Sequence, residues 1–364
     1  MNKPATGFVR IASALLALTV GEGFAMDGSP SFPNPQMPHV YPTAETEEVD
    51  SADDAADDPA IWVNPFDISK SVILGTDKQK GLAVYDLSGK IIQFLPSGRL
   101  NNVDIRTITY ASNQGAESVV VAAASDRDDQ TIALFTLDAT TQLVSPAGLS
   151  GISTGLTEVY GICIGSYSGS TWIFINDKDG RYQQWDLSYV NGAFDTELVR
   201  EFSFDTQPEG CVVDDARGWL YAGEEGRGIW KLRVEPTSEL VPVLLAEVGS
   251  SGLVADVEGM SIYDSGEEVY LVVSSQRDFS YALFDILNQD RYVGSFQVVD
   301  LEDGSLDGAQ ETDGLDVVST PLGSSYPAGL MVVQDGFNTL PDENQNFKMV
   351  SWKDIAETLG LSGH

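Results

Sequence analysis

The amino-acid sequence predicts an all-β protein built as one six-bladed β-propeller, and three observations support this architecture. Six segments repeat one pattern, in which a polar residue leads directly into a short apolar strand. They follow one another at intervals of 46, 56, 49, 49 and 55 residues, about the length of one four-stranded blade. The apolar runs are rich in Val, Ile, Tyr, Phe and Trp and are bounded by Gly, Asp, Asn and Ser, as strands are.

The polar residue that opens each repeat is called the anchor residue below. The six anchor residues are Asp58 (DPAIWV), Asp104 (DIRTIT), Tyr160 (YGICIG), Glu209 (EGCVVD), Glu258 (EGMSIY) and Asp313 (DGLDVV). A second and a third strand follow each one, so we expect blades of three to four antiparallel strands. The last repeat has three clear strands, and we expect the segment around residues 44–49 to add its outer strand and close the ring. A helix is expected at the C-terminus, from Lys353 to Leu361.

The first 25 residues have the pattern of a secretory signal peptide. Lys3 and Arg10 are basic, and the apolar run 11–20 is too short to span a bilayer. Residues 26–43 contain five prolines and are expected to form an extended leader, followed by a single catalytic domain over residues 44–364. We therefore expect a secreted, monomeric protein that is either periplasmic or extracellular.

The chain is strongly acidic, with 20 Lys and Arg residues against 55 Asp and Glu residues and a net charge of −35. This balance argues against nucleic acid or an anionic membrane as a partner, and it favours bound cations. The two cysteines, Cys163 and Cys211, each lie in an apolar run. The sequence favours two buried free thiols and leaves a disulfide open, because it does not fix the distance between them.

Acidic and basic loops are expected to meet at one end of the propeller. Adjacent strands of a blade are antiparallel, so the start of the first strand and the end of the second lie on the same face. The loops after the second strands carry, in order, Lys78, Arg127, Lys178, Glu225, Gln276 and Asp335. Carboxylates this close together cannot all stay ionised without bound cations. Because the ligands would be oxygen atoms and the chain has only two histidines, we expect several Ca²⁺ ions.

Three basic residues in equivalent loops of the first three blades indicate a phosphate ligand. Lys78, Arg127 and Lys178 could hold phosphate oxygens and stabilise charge in the transition state. A metal-bound water could then attack phosphorus in line. Bound calcium would also allow a protein of charge −35 to accept a phosphate-rich ligand.

Short motifs along most of the chain carry a family resemblance. They are DDPAIWVNP, GTDKQKGLAVYDLSGK, LNNVDIR, AAASDR, EVYG, PEG with EEG, DVEG, SSQ, TDGLDV, and QDGFN with NQNFKMV. Together they resemble the β-propeller phytases, from about Glu45 to about Ala356. The resemblance implies a phosphoric monoester hydrolase that uses several Ca²⁺ ions and a bridging water. Its implied substrate is myo-inositol hexakisphosphate, taken as a calcium complex and cleaved to inorganic phosphate and lower inositol phosphates.

The resemblance also implies roles for individual residues. The implied phosphate-binding residues are Lys78, Lys80, Arg127, Tyr160 and Lys178, and the implied catalytic residues are Lys78, Arg127, Tyr160, Lys178, Glu209 and Glu225. The implied calcium-bridging carboxylates are Asp58, Glu209, Glu225, Asp256 and Glu258. Further implied calcium ligands are Glu45, Asp57, Asn101, Asp104, Gln276, Asp313, Gly314, Gln334 and Asp335. The family often has two adjacent lysines where this chain has Lys78-Gln79, and we expect Lys80 to substitute at the second phosphate site.

Other function classes have less support in the sequence. The spacing Cys211 to Arg217 matches cysteine phosphatases, but two aspartates occupy that loop, where a phosphate cradle needs glycines and free amides. The two histidines are His39 and His364, so a histidine phosphatase is excluded. Two alternatives stay open: a non-catalytic propeller that calcium stabilises, and another six-bladed calcium hydrolase that acts on lactones or phosphotriesters.

Overall fold

The structure, a computed structural model, describes residues 32–112, 115–148 and 151–361. These residues form six small sheets, each built around consecutive antiparallel strands, and one α-helix. The six-bladed β-propeller predicted from the sequence is therefore confirmed. The predicted signal peptide, residues 1–25, lies outside the described residues.

The strands follow the predicted order of blades. The N-terminal strands are β1 (His39–Val40) and β2 (Ala44–Glu45). Blade 1 contains β3 (Ala56–Trp62), β4 (Val72–Asp77), β5 (Gly81–Asp86) and β6 (Ile91–Leu95). Blade 2 contains β7 (Leu100–Ser112), β8 (Gly115–Asp126), β9 (Thr131–Leu137), β10 (Val144–Pro146) and β11 (Ile152–Ser153). Blade 3 contains β12 (Val159–Tyr167), β13 (Ser170–Asp177), β14 (Arg181–Val190) and β15 (Ala193–Ser203).

The second half of the chain continues the same arrangement. Blade 4 contains β16 (Pro208–Asp214), β17 (Trp219–Glu224), β18 (Gly228–Arg233) and β19 (Val243–Glu247). Blade 5 contains β20 (Val257–Asp264), β21 (Val269–Ser275), β22 (Ser280–Asp285) and β23 (Arg291–Val298). Blade 6 contains β24 (Leu315–Val318), β25 (Leu330–Asp335) and β26 (Asn346–Ser351), and helix α1 (Trp352–Leu359) follows. Short 3-10 helices lie at Ile68–Lys70, Gln276–Asp278 and Ile286–Asn288.

The N-terminal segment closes the ring. Strand β2 pairs antiparallel with β26, Ala44 opposite Met349, and so supplies the outer strand that blade 6 lacks. This is the closure expected for residues 44–49. Strand β1, which lies in the segment expected to be an extended leader, pairs parallel with β23 and adds a fifth strand to blade 5.

The hydrophobic core lies between the blades. Within the described residues, six clusters of buried apolar side chains each join two neighbouring blades. At the closure, for example, Ile73 and Tyr85 of blade 1 pack with Leu330 and Phe347 of blade 6. Because each sheet packs on both faces, its inner strands are almost wholly buried, whereas outer strands such as β15 are partly exposed. The loops at the two ends of the disc are therefore held by rigid sheets.

A register irregularity in the innermost strands sets the position of the site. In blades 1–5 the pairing of the first and second strands shifts at the same place, so two residues of the first strand bulge. The first residues of these pairs are Asp57, Asn101, Tyr160, Glu209 and Glu258, and Asp313 has the equivalent place in blade 6. The anchor residues expected in blades 1 and 2, Asp58 and Asp104, were therefore wrong. The equivalent positions are Asp57, one residue earlier, and Asn101, three residues earlier. Counting along the sequence gave no sign of where the bulge lies.

In blades 3–5 the second residue of the bulge is a glycine, because the neighbouring innermost strand leaves no room for a side chain. A Cβ atom on Gly161 would lie 2.0 Å from the carbonyl oxygen of Glu209, and one on Gly210 would lie 2.3 Å from that of Glu258. The innermost strands of neighbouring blades thus approach too closely for a side chain at these positions. Close approach of the strands brings the first bulged residues together around the mouth of the channel.

The two cysteines form a disulfide. Cys163 on β12 and Cys211 on β16 are bonded, with their Cα atoms 5.8 Å apart. The expectation of two free thiols was wrong, because the register of neighbouring innermost strands places the two side chains face to face. Both residues lie inside apolar runs, as expected, but the sequence gave no measure of their separation.

Within the described residues, α1 is eight residues long and no helix has the length and apolar character needed to cross a membrane.

Candidate active site

The candidate active site is a cleft of about 720 Å³ at the end of the propeller where the bulges lie. Lys78, Tyr160, Glu225, Glu258 and Asp313 line it, together with loop 336–345 of blade 6. Its carboxylates are those of Asp53, Asp54, Glu225, Asp256, Glu258, Glu311, Asp313, Asp342 and Glu343. Among the described lining residues the one cation is Lys78, so an anionic ligand requires further positive charge.

Three glutamates on blades 4 and 5 form a group that could hold a metal ion. One carboxylate oxygen from each of Glu209, Glu225 and Glu258 lies within 4.8 Å of the other two. Glu209 and Glu258 are 2% and 4% exposed, and the Oε2 atom of Glu258 is buried without a hydrogen-bond partner in the described part of the chain. Burial and the neighbouring Glu209 raise the pKa of Glu258 well above its usual range. Burial also raises the pKa of Glu225 to about 7, against a hydrogen bond from Gln207.

A hard divalent cation fits this group of glutamates. Oxygen atoms are the ligands that Ca²⁺ prefers, and the group supplies three carboxylates with one oxygen that lacks a partner. No histidine lies nearby, since the described chain contains His39 alone and that residue is in β1. The donor set therefore matches calcium better than zinc or other metals that favour nitrogen and sulfur ligands.

Lys78 is held by three carboxylates at the mouth of the channel. Its Nζ atom lies 2.7 Å from Asp54 Oδ1, 3.0 Å from Asp313 Oδ2 and 3.2 Å from Asp57 Oδ2. Burial alone would lower the pKa of Lys78, but Asp57 and Asp313 outweigh it and raise that pKa, so the side chain stays charged. Burial raises the pKa of Asp313 to about 6 although Lys78 opposes this.

Asn101 links the basic and acidic parts of the site. Its Nδ2 atom donates to Glu209 Oε1 at 3.0 Å, and its Oδ1 atom accepts from Arg127 Nη1 at 2.9 Å. The same Nδ2 atom lies 3.4 Å from Asp57 Oδ1. Asn101 is fully buried, so it orients these three ionisable groups without itself carrying charge.

Arg127, Tyr160 and Lys178 form a basic wall beside the glutamates. Lys178 Nζ lies 4.1 Å from the centre of the Tyr160 ring, and Arg127 Cζ lies 5.6 Å from it. Glu158 lies 3.4 Å from Arg127 and 3.8 Å from Lys178, measured from its Oε1 atom. Burial, together with Glu209 and Glu258, raises the pKa of Tyr160, so its hydroxyl remains a hydrogen-bond donor.

The remaining predicted residues at the mouth are held by one another. Gln276 Nε2 donates to Asp313 Oδ1 at 2.6 Å, and Gln334 Oε1 accepts from the Asp313 amide at 2.9 Å. Asp256 Oδ2 lies 2.9 Å from Arg277 Nη2. Gly314 accepts a backbone hydrogen bond from Gln334 at 3.0 Å.

Lys80 and Gln79 lie at the edge of the site. Lys80 pairs with Asp50 and does not line the cleft, and its side chain is 44% exposed. The Gln79 side-chain amide donates to the carbonyl oxygens of Ala52 and Asp54. Gln79 therefore supports the loop that carries Asp54, a Lys78 partner that the sequence analysis did not identify.

Asp58 and Asp104 lie deeper in the channel than the cleft. Asp58 Oδ2 accepts from the Val103 amide at 3.1 Å, while Asp104 pairs with Arg106 at 2.7 Å. They border a space of about 30 Å³ along the channel. Burial raises the pKa of both carboxyls. Asp104 therefore lies three residues beyond Asn101 on β7 and outside the glutamate group.

Glu45 and Asp335 lie in a second acidic group on blade 6. Lys348 Nζ lies 2.6 Å from Glu45 Oε2 and 3.3 Å from Asp335 Oδ2, and it also pairs with Asp307. Lys348 is fully buried, and burial raises the pKa of Asp335 to about 6 although Lys348 opposes this. The sequence analysis missed Asp307 and Lys348, although a lysine inside the apolar run NFKMV was a visible signal.

Comparisons with known proteins agree in one family. The family model described as "Phytase" matches residues 10–363 of this chain. A protein named "3-phytase" from Bacillus subtilis (strain 168) is 39% identical over 332 residues, which cover 87% of this chain and 84% of that protein.

Solved structures of lower similarity were also found. "Crystal structure of Nidogen/Laminin Complex" has 16% identity and a TM-score of 0.43, and the match covers 71% of this chain and 83% of that one. A functionally unknown protein from Desulfotomaculum acetoxidans DSM 771 has 15% identity and a TM-score of 0.44, with 65% and 70% covered. The family model spans nearly the whole chain, and the Bacillus protein is well above 30% identical over most of it. The chain therefore belongs to the phytase family.

Proposed function

We propose that this protein is a calcium-dependent phytase that hydrolyses phosphomonoesters of myo-inositol hexakisphosphate. The products are inorganic phosphate and lower inositol phosphates. The observation that carries the proposal is the juxtaposition of a carboxylate group, Glu209, Glu225 and Glu258, with the cations Lys78, Arg127 and Lys178. Membership of the phytase family and similarity to a protein named "3-phytase" support the substrate.

The residues divide the chemistry between them. Glu209, Glu225 and Glu258 would hold calcium, which when bound neutralises phosphate oxygens and lowers the pKa of the attacking water. Lys78, Arg127 and Lys178 donate to phosphate oxygens and stabilise the charge that develops on them. The Tyr160 hydroxyl, kept protonated by burial and by nearby carboxylates, donates one further hydrogen bond to the same phosphate.

Asn101 keeps the two halves of the site in register. It binds Glu209 with one end of its amide and Arg127 with the other. A phosphate held by Arg127 therefore stays at a fixed distance from the carboxylates. Positioning of this kind lowers the barrier without any added covalent chemistry.

We further propose that the substrate arrives as its calcium complex. Nine carboxylates line the cleft against one lysine, so a free polyphosphate would be repelled. Asp58 with Asp104 in the channel, and Glu45 with Asp335 on blade 6, are proposed as further calcium ligands. Asp58 and Asp335 are buried, each beside a further carboxylate, Asp57 and Asp307, which supports this assignment.

We propose that the protein is exported and acts as a monomer. A basic N-terminus followed by a ten-residue apolar run supports export, as does the Cys163–Cys211 disulfide, since such bonds persist in oxidising compartments. N-terminal sequencing of the secreted protein should show cleavage after Ala25. Recovery of the uncleaved chain from the cytoplasm would contradict export.

Phosphate release from phytate tests the proposed activity. The purified protein is assayed with calcium, after removal of calcium with a chelator, and after calcium is restored. We expect release, loss and recovery of inorganic phosphate in that order. If the calcium-replete protein released no phosphate above background but still bound calcium, the non-catalytic alternative would be favoured. Hydrolysis of a lactone or a phosphotriester instead of phytate would favour the other class of hydrolase.

A further inference from the structure

The Cys163–Cys211 disulfide joins the innermost strands of two neighbouring blades. Cys163 lies on β12 three residues after Tyr160, and Cys211 lies on β16 two residues after Glu209. Their exposed fractions are 1% and 8%, so the bond is almost entirely buried. With two cysteines in the whole chain, it is the one disulfide that this protein can form within itself.

The disulfide joins blades 3 and 4, and the boundary between these two blades also separates basic from acidic residues of the site. Blades 2 and 3 supply Arg127, Tyr160 and Lys178, whereas blades 4 and 5 supply Glu209, Glu225 and Glu258. The boundary between blades 3 and 4 thus sets the distance between the phosphate-binding side chains and the carboxylate group. A change of this distance would disturb both functions together.

Several contacts at this boundary fix the backbone of Glu209. Asn176 Nδ2 donates to the Glu209 carbonyl oxygen at 2.8 Å, and Asn176 Oδ1 accepts from the Gly161 amide at 2.9 Å. Gly161 allows this approach, since a Cβ atom there would lie 2.0 Å from the same carbonyl oxygen. The disulfide joins Cys211, two residues further along β16, to β12, so a hydrogen bond and a covalent link both tie this part of β16 to blade 3.

The spacing of the three glutamates depends on where β16 lies. Glu209 and Glu258 are buried, and one carboxylate oxygen from each of Glu209, Glu225 and Glu258 lies within 4.8 Å of the other two. Glu209 is on β16 of blade 4, whereas Glu258 is on β20 of blade 5, so movement of β16 would change this spacing. The covalent bond holds β16 against β12 and so limits this movement before calcium binds.

We propose that the Cys163–Cys211 disulfide is a positioning element that pre-organises the Glu209–Glu225–Glu258 group for calcium and holds it in register with Tyr160. The proposal rests on the proposed function only in naming calcium as the cation. The sulfur atoms themselves have no chemical role in it. Residues that orient metal ligands typically change metal affinity by about 10- to 100-fold when they are replaced.

The double variant Cys163→Ala/Cys211→Ala tests the proposal. Calcium binding to the chelator-treated protein is measured by isothermal titration calorimetry, and Tm is measured with and without calcium. We expect calcium affinity to fall by about tenfold or more. We also expect Tm to fall more in the calcium-loaded protein than in the calcium-free protein, because weaker binding of calcium stabilises the folded state less.

The matched control is Val272→Ala in the buried face of β21, which lowers stability without touching the boundary between blades 3 and 4. It should lower Tm and leave calcium affinity unchanged. Unchanged calcium affinity in the folded double variant would overturn the proposal and leave the disulfide a purely stabilising role. If neither the double alanine variant nor the volume-restoring Cys163→Val/Cys211→Ala variant folds, the bond is needed for folding itself. That result also overturns the proposal.

The calorimetric result separates this proposal from the proposed activity. If the wild type bound calcium but released no phosphate from phytate, the proposed function would fail and the comparison of calcium affinities would still decide the role of the disulfide. If phosphate release were normal but both proteins bound calcium equally, the disulfide proposal alone would fail.

Discussion

Lys78 and Glu258 show how differently the site treats its positive and negative charges. Lys78 has three carboxylate partners within 3.2 Å, whereas Glu258 has a buried oxygen without a hydrogen bond in the described residues. Buried polar atoms without a partner are rare in folded proteins. At the scale of single residues, Lys78 therefore has all its charge neutralised by carboxylates, whereas one oxygen of Glu258 still lacks a cation or a hydrogen-bond donor within the described part of the chain.

Replacement of Lys78 should reduce catalysis strongly. Lys78→Ala removes one electrostatic stabiliser from the site, and we expect kcat for phytate to fall by about 10²-fold or more at saturating calcium. The matched control is Lys353→Ala, which removes the same charge from the surface of α1, where Lys353 pairs with Glu357. Equal kcat values for the Lys78→Ala variant and the wild type would contradict the assigned role.

The stability of the calcium-free protein should decrease as pH rises from about 5 to about 8. Burial raises the pKa of Glu225 to about 7 and those of Asp313 and Asp335 to about 6. A carboxyl whose pKa is raised by folding binds more protons in the folded state than in the unfolded state. Its contribution to stability is therefore fully present below the ordinary pKa and is lost as pH rises through the raised pKa. Thermal unfolding in the presence of a chelator measures this slope.

Calcium should remove or reverse this dependence, because metal ligands bind as deprotonated carboxylates and calcium affinity rises with pH. The variant Glu225→Gln, which cannot ionise, should show a smaller slope in the chelator than the wild type. A calcium-free protein that became more stable between pH 5 and pH 8 would contradict the predicted sign.

At the scale of strands, the shared bulge determines which side chains reach the site. It places Asp57, Asn101, Tyr160, Glu209 and Glu258 at equivalent positions on five different blades. The next residue is glycine in three of these blades, where the neighbouring strand comes close. The placement of the candidate site side chains and the close backbone packing therefore arise from one local irregularity, repeated around the ring.

A side chain at Gly210 should disturb this packing. Gly210→Ala places a Cβ atom 2.3 Å from the carbonyl oxygen of Glu258, so the innermost strands of blades 4 and 5 must separate. We expect the free energy of unfolding to fall by about 1–3 kcal/mol, as in other overpacked interiors, and calcium affinity to fall with it. Chemical denaturation and calorimetry measure the two effects.

Gly294→Ala is the control for this strand glycine. Gly294 lies on β23, where an added Cβ atom would be in ordinary contact, 3.6 Å from Leu359. We expect a small change in stability and none in calcium affinity. Similar losses in the two variants would show that the close approach at Gly210 has no special effect.

At the scale of the whole molecule, the ring is held by six interblade cores and closed by a strand from the other end of the chain. The core between blades 6 and 1 packs Ile73 against Phe347, and β2 pairs with β26 beside it. The closure also carries Glu45 to Lys348, deep in blade 6. The same short segment thus covers the outer edge of blade 6 and completes a buried charged group.

Removal of the closing strand should weaken the whole ring. A truncated chain that begins at Glu47 lacks β2, exposes the edge of β26 and leaves Lys348 without one carboxylate, and we expect Tm to fall by about 5 °C or more. A chain that begins at Pro42 lacks β1 but keeps β2, and it should lose less stability. Equal Tm values for the two truncated chains would contradict the importance of this closure.

The sequence by itself determined the fold and the end of the propeller at which the candidate site residues lie. The repeat of about 50 residues required six similar blades, and antiparallel pairing required that Lys78, Arg127, Lys178 and Glu225 lie on one face. The missing fourth strand of the last repeat indicated closure by residues 44–49, as the pairing of β2 with β26 confirms. These features follow from local pattern and chain connectivity, which the linear sequence contains.

The tertiary structure alone decided the register and the depth of the site. The bulge moved the equivalent positions from Asp58 and Asp104 to Asp57 and Asn101, a shift that strand periodicity does not reveal. The close approach of β12 and β16 joined Cys163 to Cys211, where the sequence favoured free thiols. Such features depend on distances between strands that are far apart in the chain, and packing between blades sets those distances.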